Sequence, residues 1–208
     1  MWAQMNQYEK DHLGQLDKNQ QLIGQLESLN LLYNKFRRSN FINEVFYIGT
    51  QDQFGTISGF RLGRINNSIE VEWDEINVAL GQAVHLMAIL AHRFGYKFEK
   101  HKINLCGAMS TIQLKFNQPS AQGKSQKFEL YYGADEERFN RGLVCLLECL
   151  NDLVIEVQKK MSDQLEDTDL KARCYKIDGE EIGGKSIKYR YAESEQWSTA
   201  MRYFLMNL

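Results

Sequence analysis

The chain is short of the features that most quickly classify a protein. It has one proline, Pro119, in 208 residues, so it is not linker-rich and its units are expected to pack directly on one another. Of its four cysteines, Cys106, Cys145, Cys149 and Cys174, none forms a Cys-x-x-Cys pair. A chain of this size with its own core needs no disulfide framework, which points to a reducing compartment. Cys145 and Cys149 lie four apart in a helical stretch and read as small buried apolar side chains on one face. No apolar run approaches the roughly 20 residues that a bilayer demands. The start, Met1-Trp2-Ala3-Gln4-Met5-Asn6-Gln7, lacks the basic region and apolar stretch of a signal peptide. Net charge is −2, which offers no bulk attraction to nucleic acid. Any membrane contact is therefore expected to be local.

Catalytic patterns are missing as well. Of the four histidines, His85 and His92 fall on one side of one helix, but no carboxylate or cysteine completes a metal set at the right spacing. Glu72, Asp74 and Glu75 sit at a helix start, where the dipole alone favours negative charge. Gly183-Gly184-Lys185-Ser186 opens a strand and lacks the upstream glycine of a phosphate-binding loop. No catalytic residue, metal site or cofactor is expected, and the chain reads as a non-enzyme. Lys97, Lys100, His101 and Lys102 alternate with apolar residues, as on the solvated face of an edge strand. There they would add about 1 kcal/mol of attraction to anionic lipid per lysine.

What is present begins with an arm. Over residues 1–38, Met5, Tyr8, His12, Gln15, Asn19, Leu22, Leu26, Leu29, Tyr33 and Phe36 fall at alternating spacings of three and four, a heptad seam. Its start is polar at His12, Gln15 and Asn19, and its end is apolar. Polar seam residues weaken self-pairing and specify a partner. Gly14 and Gly24 weaken it further. The arm either pairs with a partner or folds back on the rest of the chain.

Residues 39–208 read as one α+β domain of three consecutive β-sheet–α-helix repeats, with blocks at about 41–94, 95–161 and 170–208. In the first, Phe41, Glu44–Ile48 and Thr56–Leu62 alternate as strands, with Gly49–Asp52 and Gly63–Asn67 as turns. A helix over Trp73–Phe94 follows, stopped by Gly95. In the second, Tyr96–Leu105, Thr111–Phe116 and Lys127–Tyr132 alternate around a polar loop, Asn117–Gln126. A helix then runs to about Met161. In the third, Ala172–Ile177 and Lys185–Tyr191 flank a glycine-rich turn, Asp178–Gly184. Ser194 caps the last helix. The spacing of the blocks repeats; their residues do not.

Three strings in series carry a resemblance: Gln53-Phe54-Gly55-Thr56-Ile57, Phe60-Arg61-Leu62-Gly63-Arg64 and Val71-Glu72-Trp73-Asp74-Glu75-Ile76-Asn77. Ser39-Asn40 precedes them. Gly81-Gln82, Arg138-Phe139 and Glu195-Gln196-Trp197 extend them. From about residue 39 to the end the chain resembles the C-terminal domain of the Beclin family, the autophagy-related protein six group. Residues 1–38 are similar only as a coiled coil in the right place. Members carry a long N-terminal region and an aromatic-rich tail with no counterpart here, so the resemblance implies a fragment or a short form.

The resemblance implies a non-catalytic scaffolding and membrane-docking subunit of the class III phosphatidylinositol 3-kinase complex, acting in autophagy and endosomal sorting. The implied partners are the catalytic and protein-kinase-like regulatory subunits, a second coiled-coil subunit (autophagy-specific or endosomal) and an anionic lipid membrane, with no nucleic acid. The implied location is cytoplasmic and peripheral on endosomal and autophagic membranes. The family's membrane-contacting aromatic finger falls here on Leu130-Tyr131-Tyr132, in place of a typical Phe-Phe-Trp. Tyrosines suit an interface but insert less apolar area. Read as an ordinary strand, the same stretch turns Phe128, Leu130 and Tyr132 inward and Glu129 and Tyr131 outward. The alternative function is a protein-interaction scaffold without direct lipid contact.

Overall fold

The computed structural model describes residues 2–38, 41–66, 69–115, 126–133, 135–162 and 174–208. The chain forms two compact units, Met1–Glu44 and Val45–Leu208. The first is dominated by α1 (Trp2–Arg38), one helix of 37 residues and so about 55 Å long. Its Leu, Gln, Lys and Glu residues lose little rotamer freedom in a helix, and Gly14 and Gly24 do not break it. A five-residue helix, α2 (Phe41–Val45), follows. This corrects the extended chain expected at Phe41 and Glu44–Val45.

The second unit is α+β. Its first sheet is antiparallel, β1 (Ile48–Gln51), β2 (Phe54–Ile57) and β3 (Phe60–Leu62) in that order. The expected turn over Gly49–Asp52 is mostly strand β1, and the turn sits at Asp52-Gln53, both at positive φ (51° and 67°). Two positive φ values match the twist of a tight hairpin, but without glycine the pair is hard to see in the sequence. The expected single strand Thr56–Leu62 is broken by a second hairpin at Ser58-Gly59, also at positive φ. A short pair, β4 (Ile65–Asn66) and β5 (Ile69–Glu70), leads to α3 (Trp73–Arg93), after which Gly95 takes φ 64°.

The second sheet, β6 (His101–Asn104), β7 (Thr111–Leu114) and β8 (Lys127–Glu129), precedes α4 (Glu136–Ser162). Each strand is shorter than its alternation suggests. The third sheet, β9 (Ile177–Asp178), β10 (Glu181–Ile182) and β11 (Lys185–Ser186), precedes α5 (Ser194–Met206). The stretch expected as a turn, Asp178–Gly184, contains β10. The expected loop at Asn117–Ser125 and the start of the expected strand at Ala172–Arg173 lie outside the described residues.

The last helix closes on the first sheet. A Cβ on Gly55 of β2 would stand 3.0 Å from Cα of Arg202, and one on Gly63 would stand 2.9 Å from Ser198 Oγ. Only glycine allows these backbones so close. Beneath them Phe54, Ile57, Leu62, Trp197, Met201 and Phe204 are buried.

Contrary to expectation, the blocks repeat in residue type as well as in spacing. Each helix carries an acidic residue (Asp74, Glu137, Glu195), then a large apolar one two places on (Ile76, Phe139, Trp197), then Asn77, Asn140 or Ser198. A small residue follows (Ala79, Gly142, Ala200), then Leu80, Leu143 or Met201. The large, small and final apolar positions are all buried. The repeat is short and mixed in type, so it becomes visible only once the helix starts are known.

Candidate functional site

Leu130, Tyr131 and Tyr132 leave β8 toward α4, and their three side chains have different surroundings. Leu130 is 0% exposed, and its N–H donates to Ser110 O at 3.0 Å. Tyr131 is half-buried, with its ring beside Gly133. The Tyr132 ring stacks on Trp73 at 3.7 Å and 9°, and meets Phe139 edge-on at 5.5 Å. Phe128 is buried and Glu129 half-buried.

Tyr132 belongs to an aromatic cluster with Trp73, Phe139, Tyr189 and Trp197, in which most pairs are edge-on or tilted. Such geometries align ring edge with ring face and add about 0.5–1.5 kcal/mol per pair to the burial. The Arg64 guanidinium lies 5.2 Å from the Trp73 ring centre. It is held there by Val71 O and paired with Glu70. Burial, then the nearby Glu136 carboxylate, pushes the Tyr132 phenol above its ordinary value, so it stays neutral at physiological pH.

The repeat described above is what fixes this segment. Asn77 of α3 grips the Tyr132 backbone at both ends: Tyr132 N–H donates to Asn77 Oδ1 at 2.8 Å, and Asn77 Nδ2 donates to Tyr132 O at 3.4 Å. Asn140 of α4 grips Tyr189 in the same way, at 2.6 and 3.0 Å. Ser198 of α5 completes the circuit. Arg64 N–H donates to its Oγ at 2.9 Å, and its hydroxyl lies 2.9 Å from Ile65 O. Each helix thus clasps the segment that leads into the helix of another block, first to second, second to third and third to first. These clasping residues escaped the sequence reading, and the signal that could have found them is the shared Asn, Asn or Ser four residues after each helix start.

On α1, His12, Gln15, Asn19, Leu22, Leu26, Leu29 and Tyr33 are all exposed. The apolar ones are 56%, 61%, 61% and 63% exposed. Met5, Tyr8 and Phe36 lie on the same helix, with side chains outside those described. Leu16 and Ile23, which follow Gln15 and Leu22 directly, are exposed too. They widen the apolar face beyond the heptad reading.

Among the described residues no group of His, Cys, Asp or Glu could hold a metal. His85 and His92 are both exposed. Burial pushes the Cys145 thiol up to about 11 and Cys149 higher still, so both stay protonated and unreactive. No helix of the described residues is long and apolar enough to cross a membrane.

The profile of the Apg6 BARA domain matches residues 36–208. Beclin-1 of Xenopus tropicalis is 31% identical over 191 residues, which is 88% of this chain and 41% of that protein. A Beclin-1-like protein of Drosophila melanogaster is 31% identical over 213 residues, 100% of this chain and 48% of that protein. Vacuolar protein sorting-associated protein 30 of Gibberella zeae is 32% identical over 195 residues, 84% of this chain and 39% of that protein. The chain therefore spans less than half the length of these relatives. With the profile covering the whole three-block unit, the chain belongs to the Beclin family, through its Apg6 BARA domain.

Proposed function

We propose that the chain is a non-catalytic scaffolding subunit of the class III phosphatidylinositol 3-kinase complex in autophagy and endosomal sorting, and that it helps to dock that complex on membranes. The observation that carries the scaffolding part is the arm. A helix of 37 residues leaves Leu22, Leu26, Leu29 and Tyr33 more than half exposed in one heptad series. A single helix cannot bury such a seam; a second helix can. The partner is a coiled-coil subunit whose own seam complements the polar start at His12, Gln15 and Asn19. Family membership supports the complex, and the name of the Gibberella relative supports a sorting role.

Light scattering tests the arm. Mixing the chain with the autophagy-specific or endosomal coiled-coil subunit is expected to give a heteromer. Leu26→Asp with Leu29→Asp is expected to abolish it without lowering the melting temperature of the globular unit. If neither subunit shifts the mass of the unaltered chain, the scaffold reading fails.

The docking part has a narrower basis. Leu130 is buried and Tyr132 is clasped and stacked, so Tyr131 is the residue of the three that could meet lipid without unfolding. That arrangement favours a second reading, a scaffold that makes no lipid contact at this segment. Tyr131→Asp separates the two. Loss of vesicle binding supports docking at Tyr131, and unchanged binding removes this segment from the docking surface.

A further inference from the structure

The second sheet carries a charge pattern that scaffolding does not use. From Lys100 to Phe128 the sequence has five lysines and no aspartate or glutamate, in a chain of net charge −2. The structure gathers three of those lysines. Lys115 N–H donates to Lys100 O at 2.8 Å, and Lys102 pairs with Gln113. By the period of two, Lys100, Lys102 and Lys115 therefore share one face of edge strand β6 and its neighbour β7. All three are exposed. Like charges placed opposite each other repel. None of the three has a salt bridge among the described residues, whereas Arg61, Arg64, Lys160 and Lys188 do.

Carboxylates approach this sheet on both faces: Glu129 of β8 lies on the lysine face, where Arg138 pairs with it at 3.8 Å, and Glu148 reaches the other face. His101, which alternates with Lys100 and Lys102, is buried with Nε2 3.2 Å from Glu148 of α4. Lys102 and Lys115 also border a cleft of about 340 Å³ that reaches Tyr96, Phe98 and Ile103. Just past β6, Leu105 and Met109 are 46% and 62% exposed. Lys115 Nζ donates to Phe98 O at 2.6 Å, and none of the three ammonium groups has a carboxylate partner among the described residues. With exposed apolar side chains past the same strand, they offer what a bilayer interface accepts: lipid phosphates for the first and shallow insertion for the second. A nucleic acid or an acidic peptide would use the charge alone.

We infer that this face of the second sheet docks on an anionic bilayer surface, with Lys100, Lys102 and Lys115 on lipid phosphates and Leu105 and Met109 at the interface. Its lysines lie away from the Leu130–Tyr132 segment, while Met109 adjoins Ser110, whose O accepts from Leu130 N–H. That segment is tied to Asn77 near the start of α3, while the cleft borders Ala88, Ala91 and His92, about 16 Å further along the helix.

The test uses the whole chain and sedimenting vesicles of phosphatidylcholine, with and without phosphatidylserine. Binding is expected only with phosphatidylserine and is expected to fall as salt rises. Lys100→Gln with Lys102→Gln and Lys115→Gln is expected to weaken it about a hundredfold, at about fivefold per ammonium. Leu105→Ser with Met109→Ser is expected to weaken it without changing the salt dependence. An unchanged melting curve shows that the variants fold. The inference is overturned if the folded triple variant binds like the unaltered chain, if binding ignores phosphatidylserine, or if duplex DNA or an acidic peptide binds more tightly than vesicles. If Tyr131→Asp abolishes binding and the triple variant does not, this inference falls while docking through Leu130–Tyr132 stands. If the unaltered chain binds no vesicle, both fall.

Discussion

Glycine has opposite meanings in the two units. In the arm, a Cβ on Gly14 or Gly24 would meet nothing within 4 Å. In the globular unit, a Cβ on Gly81 of α3 would stand 2.4 Å from Gly107 O, and one on Gly142 of α4 would stand 2.3 Å from Glu129 O. All four are helical, and propensity alone would ask for Ala at each. In the arm nothing opposes that preference. In the globular unit the backbone of the second sheet and its turn passes directly over both helices and excludes a side chain. The arm is held by local propensity and awaits packing, whereas the globular unit is held by packing that overrides propensity.

Gly81→Ala is the largest test of this contrast. The methyl group would overlap a backbone carbonyl, which cannot move without shifting the Gly107–Met109 turn. A loss of about 3 kcal/mol or more is expected, seen as a lower urea midpoint, and Gly142→Ala should behave alike. A loss below about 1 kcal/mol at either site would mean that sheet and helix are less tightly apposed than these distances say.

Next in size is the clasp. Asn77→Ala leaves the Tyr132 backbone N–H and C=O without their side-chain partner, at a cost of about 1–3 kcal/mol. Asn140→Ala should cost a similar amount at Tyr189. If the three clasps form one circuit, opening one should speed amide exchange at both Tyr132 and Tyr189. If exchange quickens only at the altered clasp, the blocks are held separately. Along the arm the described seam side chains are exposed and offer no such coupling.

A third test is acid. Glu75 accepts from Arg61 N, Nε and Nη2 at 2.9, 2.8 and 2.8 Å. The hydrogen bonds from the Arg61 guanidinium hold its carboxyl below the ordinary value. The folded state thus binds this proton more weakly than the unfolded state. The stabilisation is complete above the usual carboxylate pKa of about 4.3 and is lost as pH falls from there through the lowered one. Glu75→Gln is expected to flatten the stability profile of the globular unit over that acid window alone. His101, whose pKa burial lowers, acts in the same direction but at higher pH, as pH falls below about 6.5. An equal slope for the variant and the unaltered chain in the acid window would remove the ion pair from the account.

Much of this fold could be read from the sequence because long amphipathic helices announce themselves. Trp73 and Arg93 bound α3 within one residue of the expected span, since the apolar stripe and Gly95 mark its face and its end. The strands were less legible. Every described strand is two to four residues long, and at that length alternation cannot be told from chance. The hairpin at Asp52-Gln53 lacks the glycine that usually marks such a turn. Leu130–Tyr132 shows a deeper limit. Alternation can say that Leu130 and Tyr132 point the same way, but only the fold says that Trp73, 59 positions earlier in the chain, waits there to stack on Tyr132. The clasp was hidden for the same reason, because an asparagine on a helix shows its purpose only with the backbone it grips.

The smallest expected effect lies in the arm. Gly24→Ala replaces the poorest helix former short of proline with the best, at a site where the new methyl group meets nothing. The gain is about 1 kcal/mol of helix propensity. It should appear as higher helicity by circular dichroism at temperatures where the globular unit is still folded, and the melting of that unit should not move. The sign is the informative part, because the same substitution costs stability at Gly81. If Gly24→Ala lowers helicity or blocks association with the coiled-coil partner, then something does approach Gly24 in the assembled state. The arm would then share with the globular unit a backbone packed too closely for a side chain, and its glycine would mark a contact rather than a weakness.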